Sequence, residues 1–322
     1  MDNSSPVLAF DLGGTRLKAG IVQGGMADPL LVEPIAGLAG DALLRLVAVV
    51  GRRLMDRHDP VAVGLAIRGI VDPVAGVLRD VNEALTALIG LPLGEILVGE
   101  FGRQACVEND ARMYALGELT YGAGTGCRDL VCLTLGTGIG SGVALGGRML
   151  CGPRGVGGVL AGHLTIQAGG PACTCGNIGC LEALIGAAAF VRAAHEALDI
   201  AAFGSGRPSA LRREGLDPRA IFAAAGEGDD LACAMVDRFA AYLGAGVVTM
   251  IHAYDPELVV LGGGMIGGAE CFLPAVQAYV ERHAWTLPRG RVPVVPAALG
   301  DAAALIGVAT LARGGLEKWM RR

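Results

Sequence analysis

Residues 130–145 read LVCLTLGTGIGSGVAL. An apolar run, Leu130 to Leu135, leads into Gly136-Thr137-Gly138-Ile139-Gly140-Ser141-Gly142. Four glycines alternate with other residues, and alternation is the strand period, so one face of the segment is bare backbone. A bare face beside the Thr137 hydroxyl suits a phosphate chain; a bulged or tightly packed hairpin is the other reading. Either way the stretch reads strand, glycine turn, strand. The 18 residues between Asp129 and Arg148 carry no formal charge, near the length of a membrane span, but six of them are glycine and would make a poor isolated helix.

A second unit of this kind lies near the start of the chain. Residues 7–12 (VLAFDL) predict a strand, Gly13-Gly14 a turn, and residues 17–22 (LKAGIV) the hairpin partner. Between the two units, Leu43, Val47, Val50 and Leu54 recur at helical spacing within 41–57, with Asp41 as the expected N-cap. Residues 61–67 predict a buried strand, and 105–107 a strand followed by a helix over 108–119. Beyond the second unit, 152–180 is rich in glycine and cysteine with little regular pattern. Helices are expected at 181–198, 217–226 and 229–252, a surface loop at 201–215, and a buried strand at 257–261. Strands mixed with helices, and two glycine hairpins about 125 residues apart, predict an α/β protein with a duplicated, two-lobed architecture.

Composition narrows the class. Glycine supplies 52 of 322 residues, apolar residues 52% and charged residues 18%. Such a chain is too apolar and too weakly charged to be disordered, and its glycines lack the period of collagen. The net charge is −5 with no basic cluster, which argues against nucleic acid as the main partner. The N-terminal MDNSSPVLAFDLGG has no basic region and an interrupted apolar run, so a signal peptide is not expected. Nine cysteines, an odd number, fit thiols or metal ligands better than a disulfide framework, and cytoplasm is the expected compartment.

Two further loops and one cluster carry chemistry. In Asp11-Leu12-Gly13-Gly14-Thr15, backbone N–H groups can approach an anion, Thr15 adds a hydroxyl, and Asp11 could hold a hydrated Mg²⁺; an ordinary hairpin turn is the alternative. Gly262-Gly263-Gly264-Met265-Ile266-Gly267 formally matches a dinucleotide fingerprint after a strand. The acidic residue expected at the end of a following strand is missing, because Val292 to Leu299 carries no acid before Asp301. A loop against which an adenosine lies is the preferred reading. His163, Cys173, Cys175 and Cys180 fall within 18 residues and form a full tetrahedral Zn²⁺ set, closed and therefore structural. Unrelated buried thiols, or one disulfide with a spare thiol, are the alternatives.

Together these residues resemble the repressor/ORF/kinase (ROK) family of sugar kinases, within the actin–hexokinase–heat-shock ATPase superfamily. The resemblance runs from Asp11 to Gly307. DLGGT and LTLGTGIGSG are similar to the family's two phosphate motifs, LGGGM (261–265) to its adenosine motif, and Gly162-His163 with CTCGNIGCLE to its zinc signature. The fold implied is a two-lobed, actin-like (ribonuclease H-like) α/β ATPase with the active site between lobes. Its implied division is 1–118 with the C-terminal helix near 302–322, and 119–301 with the zinc loop 163–180. Glu108-Asn109-Asp110-Ala111 looks like the catalytic segment, which makes Asp110 the base that accepts a sugar hydroxyl proton. Asn82, Asn109, His163 and Glu182 become sugar-side residues, His163 serving metal and substrate by different edges. Nucleotide or phosphate contacts are implied at Asp11, Gly13, Gly14, Thr15, Lys18, Gly136, Thr137, Gly138, Gly262, Gly263 and Gly264. ATP, Mg²⁺ and structural Zn²⁺ are the implied cofactors, a small-molecule sugar the partner, and a homodimer the implied assembly.

Two positions depart from the family pattern. A glutamate usually stands three residues before the zinc histidine; here it is Leu160, and residues 119–181 contain no glutamate. The sugar then lacks a free hydroxyl there, carries an amine or acyl group, or is held by another residue. Arg68 stands where a proline is usual. An ATP-dependent hexose or amino-hexose kinase acting on the 6-hydroxyl is the leading function. A catalytically silent sugar-binding protein and a sugar-responsive regulator are the competitors. The regulator would need an N-terminal helix-turn-helix, for which the strand beginning at Val7 leaves no room.

Overall fold

The computed structural model describes residues 4–81, 83–202 and 209–321, in two compact units. Unit 1 comprises residues 1–130, 142–159 and 298–322; unit 2 comprises 131–141 and 160–297.

Unit 1 is built on a five-stranded sheet. Strand β1 (Val7–Leu12) pairs with the antiparallel β2 (Arg16–Gln23) through the expected glycine turn, and β2 with β3 (Met26–Pro34). After α1 (Asp41–Met55), strand β4 (Ala62–Ile67) returns parallel to β1, and β7 (Gln104–Asn109) lies parallel to β4. The sheet order is β3-β2-β1-β4-β7. Between β4 and β7 the chain forms a small hairpin, β5 (Ile70–Asp72) and β6 (Val77–Asp80), and helix α2 (Leu93–Phe101). Helix α3 (Asp110–Tyr121) follows β7 directly. Strand β4 is apolar throughout and fully buried, as a parallel strand covered on both faces should be. The core gathers Leu8, Phe10, Leu65 and Val107 with Val47 and Leu54 of α1, and Phe10 stacks on Phe101 at 5.8 Å.

Strand β8 (Leu130–Leu135) from Val131 onward, and the first residues of β9 (Ile139–Leu145), belong to unit 2, and the glycine stretch is a hairpin and not a membrane span. The rest of β9 pairs in unit 1 with β10 (Arg148–Leu150). In unit 2 come the short α4 (Leu181–Ile185), α5 (Ala187–Ala202), α6 (Pro218–Gly226) and the long α7 (Asp230–Tyr254). Then β11 (Leu258–Gly262), α8 (Ala269–His283) and β12 (Val294–Pro296) complete the order β12-β11-β8. Four of the seven phenylalanines, Phe190, Phe222, Phe239 and Phe272, form one cluster with centroids 5.1–5.6 Å apart. Helix α7 is long and apolar enough to cross a membrane by length and composition, but 61% of its apolar stretch is buried in the protein. The chain ends in unit 1 with α9 (Ala303–Gly314), α10 (Leu316–Trp319) and β13 (Met320–Arg321). Helix α9 packs on α3, β1 and β4.

Three local expectations need correction. Gly40, not Asp41, caps α1; Asp41 occupies the first helical turn, where its charge still meets the positive helix end. The strand expected at 105–107 extends to Asn109, and α3 begins at Asp110 rather than 108, because the Asn109 side chain caps the helix by accepting from the Arg112 N–H at 2.9 Å. Helix α5 runs to Ala202, into the expected loop of 201–215, whose residues 203–208 lie outside the described ones.

Candidate active site

In unit 1, parallel strands β1, β4 and β7 end side by side, with Leu12, Ile67 and Asn109 in register. The space beyond the carboxyl ends of such strands is where open α/β sheets bind ligands. Asp11 sits near the end of β1, opposite Lys18 across the hairpin. Lys18 Nζ lies 3.6 Å from the Asp11 carboxylate and donates to Asp301 at 2.8 Å. Burial pushes the Asp11 carboxyl up to about 7, against the pull of Lys18 and with a further push from Asp110. Asp110 begins α3, and burial raises its pKa as well, opposed by the Ala111 N–H and by Arg68. Its Oδ1 accepts from the Ala111 N–H at 2.8 Å and from Asn109 Nδ2 at 3.2 Å. Asn109 Nδ2 also donates to the Gly69 carbonyl at 2.9 Å. Gly13 and Gly14 are half-buried and Thr15 is exposed at the turn.

The start of α3 is anchored by a pair that the sequence reading missed. Arg112 is fully buried, forms an ion pair with Glu108, and donates to the carbonyls of Leu150, Gly155 and Gly157. A buried arginine with this many acceptors locks the turn that carries Asp110. The i,i+4 spacing of Glu108 and Arg112 is visible in the sequence, but spacing alone does not tell a buried pair from an exposed one.

In unit 2, the second and third glycine loops lie together. Gly263 has φ +88°, and a Cβ there would stand 2.4 Å from the Leu135 carbonyl oxygen; the Met265 N–H donates to that oxygen at 3.0 Å. The turn at Gly136–Gly138 is closed by its own bond, Gly136 N–H to the Gly138 carbonyl at 3.0 Å, with Thr137 exposed at its tip. Gly262 is buried and Gly264 exposed. Glu182 braces this turn: its Oε2 accepts from the Ile139 N–H at 2.8 Å, while the Ala187 N–H reaches the Gly136 carbonyl at 3.0 Å. Nothing in the local sequence marks this bracing role, because Glu182 lies 43 residues from Ile139. Asn82 lies outside the described residues.

The ligand atoms of His163, Cys173, Cys175 and Cys180 all lie within 4.8 Å of one another. Cys173 Sγ is 3.6 Å from His163 Nδ1, and Cys175 Sγ is 3.7 Å from Cys180 Sγ. Tetrahedral zinc with Zn–S of about 2.3 Å and Zn–N of about 2.0–2.1 Å has edges of about 3.8 Å (S–S) and about 3.6 Å (S–N). The donor set and its spacing are compatible with a structural zinc. Glu182 follows Cys180 by two residues, so the cysteine loop holds the carboxylate that braces the second glycine turn.

Residues 7–314 match the ROK family. The chain belongs to that family. This ROK protein is 31% identical over 307 residues to a glucokinase of Thermotoga maritima, covering 95% of the chain and 96% of the relative. It is 31% identical to an N-acetylmannosamine kinase of Escherichia fergusonii, covering 95% and 98%. Its fold matches a ROK family glucokinase from Streptomyces griseus in complex with glucose and AMPPNP, with a TM-score of 0.83, 29% identity and coverage of 97% and 100%. The chain is a sugar kinase with the actin-like α/β fold.

Proposed function

We propose that this ROK kinase transfers the γ-phosphoryl group of ATP to the 6-hydroxyl of a hexose or amino-hexose, with Asp110 as general base. The observation that carries the reading is Asp110 itself: a carboxylate at a helix start, one strand removed from the end of β1 that bears Asp11 opposite Lys18, with its pKa raised by burial. A raised carboxylate pKa brings a base toward its working pH, where proton transfer is most effective. Asn109 would hold the sugar beside it.

The Asp11 carboxylate is nearly buried, pushed up to about 7, and has Lys18 at 3.6 Å with Asp110 and Asp301 adding negative charge. Such a group fits a hydrated Mg²⁺, which keeps its waters and needs few protein ligands. When bound, the ion would offset phosphate charge, where most catalysis of phosphoryl transfer lies. The turns at Gly13–Thr15 and Gly136–Gly138 would take phosphates, and Gly262–Gly264 the adenosine. His163, Cys173, Cys175 and Cys180 would hold zinc.

Leu160 is 39% exposed where the family pattern has a carboxylate. An exposed apolar side chain cannot accept a sugar hydroxyl but can pack an acyl group, which supports amino-hexoses as substrates beside plain hexoses. The test is ADP release with glucose, mannose, fructose, allose, glucosamine, kanosamine and N-acetyl hexosamines, compared by kcat/KM. ATP binding without ADP release on any sugar would refute the kinase chemistry and favour a silent binder.

A further inference from the structure

Between the two carboxylate-bearing strand ends of unit 1 lies the end of β4, and the next residue is Arg68. Its backbone is fixed from both sides. The Arg68 N–H donates to the Leu12 carbonyl at 3.2 Å, and the Gly69 carbonyl accepts from Asn109 Nδ2 at 2.9 Å. Gly69 has φ +119°, and a Cβ there would stand 2.5 Å from the Asp80 carbonyl oxygen, so glycine is needed for this turn. The side chain lies on the first glycine loop: a Cβ built on Gly14 would be 2.8 Å from Arg68 Nη1. The same guanidinium is among the charges that favour the ionised form of Asp110. One planar cation is therefore placed against the loop read as the phosphate site and within the field of the base. A guanidinium can donate from two edges at once, which an ammonium cannot do in fixed geometry.

We propose that Arg68 is a catalytic residue that contacts the transferring phosphoryl group in this kinase. The proposal rests on the reading of Asp110 as base and of Gly13–Thr15 as a phosphate loop. In the step, the sugar O–H proton passes to Asp110 and the hydroxyl oxygen bonds to the γ-phosphorus. The bond from that phosphorus to the β,γ-bridging oxygen breaks, and ADP leaves with the electron pair. The equatorial phosphoryl oxygens then pass close to a carboxylate, and a cation between them lowers the repulsion in the transition state. A proline at this position supplies no such charge.

The experiment compares wild type with Arg68→Ala, Arg68→Lys and Arg68→Met, the last retaining the packing of the aliphatic stem. Three readouts are taken: kcat and KM for ATP and sugar, affinity for ADP alone, and the gain in affinity when aluminium fluoride and sugar are added to ADP. Arg68→Ala and Arg68→Met are expected to lower kcat by about 100-fold or more, the loss typical of one removed transition-state donor. Their ADP affinity should stay near wild type while the aluminium fluoride gain disappears, and Arg68→Lys should recover part of both losses. A kcat within about threefold of wild type would overturn the proposal. So would a lost rate with the fluoride gain intact, which would leave Arg68 acting on Asp110 alone. Asp110→Asn is run in parallel. Near-normal turnover in that variant refutes the base and not the arginine, whereas its loss alone, with Arg68→Ala active, refutes only the arginine.

Discussion

Replacing Asp110 with asparagine should separate catalysis from stability in opposite directions. The substitution keeps a carbonyl oxygen of the same reach, so the bonds from the Ala111 N–H (2.8 Å) and Asn109 Nδ2 (3.2 Å) can persist. What is lost is basicity. A positioned general base contributes about 10²–10⁴ in rate, or about 3–5 kcal/mol of barrier. Stability moves the other way. Burial raises the pKa of Asp110 above its unfolded value, so the folded state holds its proton to higher pH than the unfolded state does. Wild-type stability therefore falls as pH rises from about 4, the unfolded value, through the folded pKa, and above it the ionised carboxylate opposes folding. Asparagine carries no such penalty. Expected at about pH 8 are a kcat at least about 100-fold below wild type and a Tm equal to or above it, with the Tm advantage vanishing near pH 4. ADP release and thermal melts at the two pH values make the test. A kcat within about threefold of wild type would place the base elsewhere. A lower Tm at pH 8 would make the carboxylate a structural group and refute the linkage argument.

The same logic applies to Asp11, whose carboxyl is pushed up to about 7. Asp11→Asn should be more stable than wild type by on the order of 4 kcal/mol above pH 7, with the difference closing toward pH 4; a pH-independent difference in denaturant melts would contradict it. Metal analysis should find about one zinc per chain, and Cys175→Ser should lose the metal and lower Tm although Cys175 is exposed and packs little. Metal-free protein with full activity and unchanged Tm would count against the cluster. Leu160→Glu should raise kcat/KM for glucose relative to N-acetylmannosamine by about tenfold or more. An unchanged ratio would mean that this position does not read the sugar.

Features set by neighbours in the chain were legible before the structure. The β1–β2 hairpin, the glycine turn at Gly136–Gly138 and the His163–Cys180 cluster all depend on short spacings. Features set by distant partners were not. Asp301 entered the sequence reading only as an acid that comes too late for a dinucleotide site, yet it accepts from Lys18, 283 residues away. The α3 boundary was misplaced because Glu108 looks helical by composition, whereas its burial and its pairing with Arg112 keep it on β7. Strand β3 and helices α2 and α8 also went unread. Of these, β3 has all nine of its residues exposed or half-buried, so it lacks the clean alternation that marks a strand.

The abundant glycines, 52 of 322 residues, fall into at least two groups. Many glycines are required by packing. A Cβ on Gly117 would stand 2.1 Å from the Ala303 carbonyl oxygen, and one on Gly307 would stand 1.8 Å from that of Met113, so α3 and α9 approach as closely as they do because both lack side chains. Gly142 is held likewise, 2.3 Å from the Ala115 Cβ. Gly13, Gly136 and Gly264 are different. None has a positive φ, and a Cβ on each would meet nothing closer than 3.6 Å. Alanine at such positions should fold as well or better, since it narrows the unfolded ensemble. Openness alone is not decisive, because Gly99 on the exposed side of α2 shares it. What sets the three apart is that each lies in the turn directly after a strand end: β1, β8 and β11. Folding does not require glycine there, which leaves bare backbone open at three strand ends. Under the proposed function, a phosphate or adenosine would lie against that backbone. Gly14 is the exception within that set. Its missing side chain is the space taken by the Arg68 guanidinium, which ties the first glycine loop, proposed to take phosphate, to an arginine where the family pattern has proline.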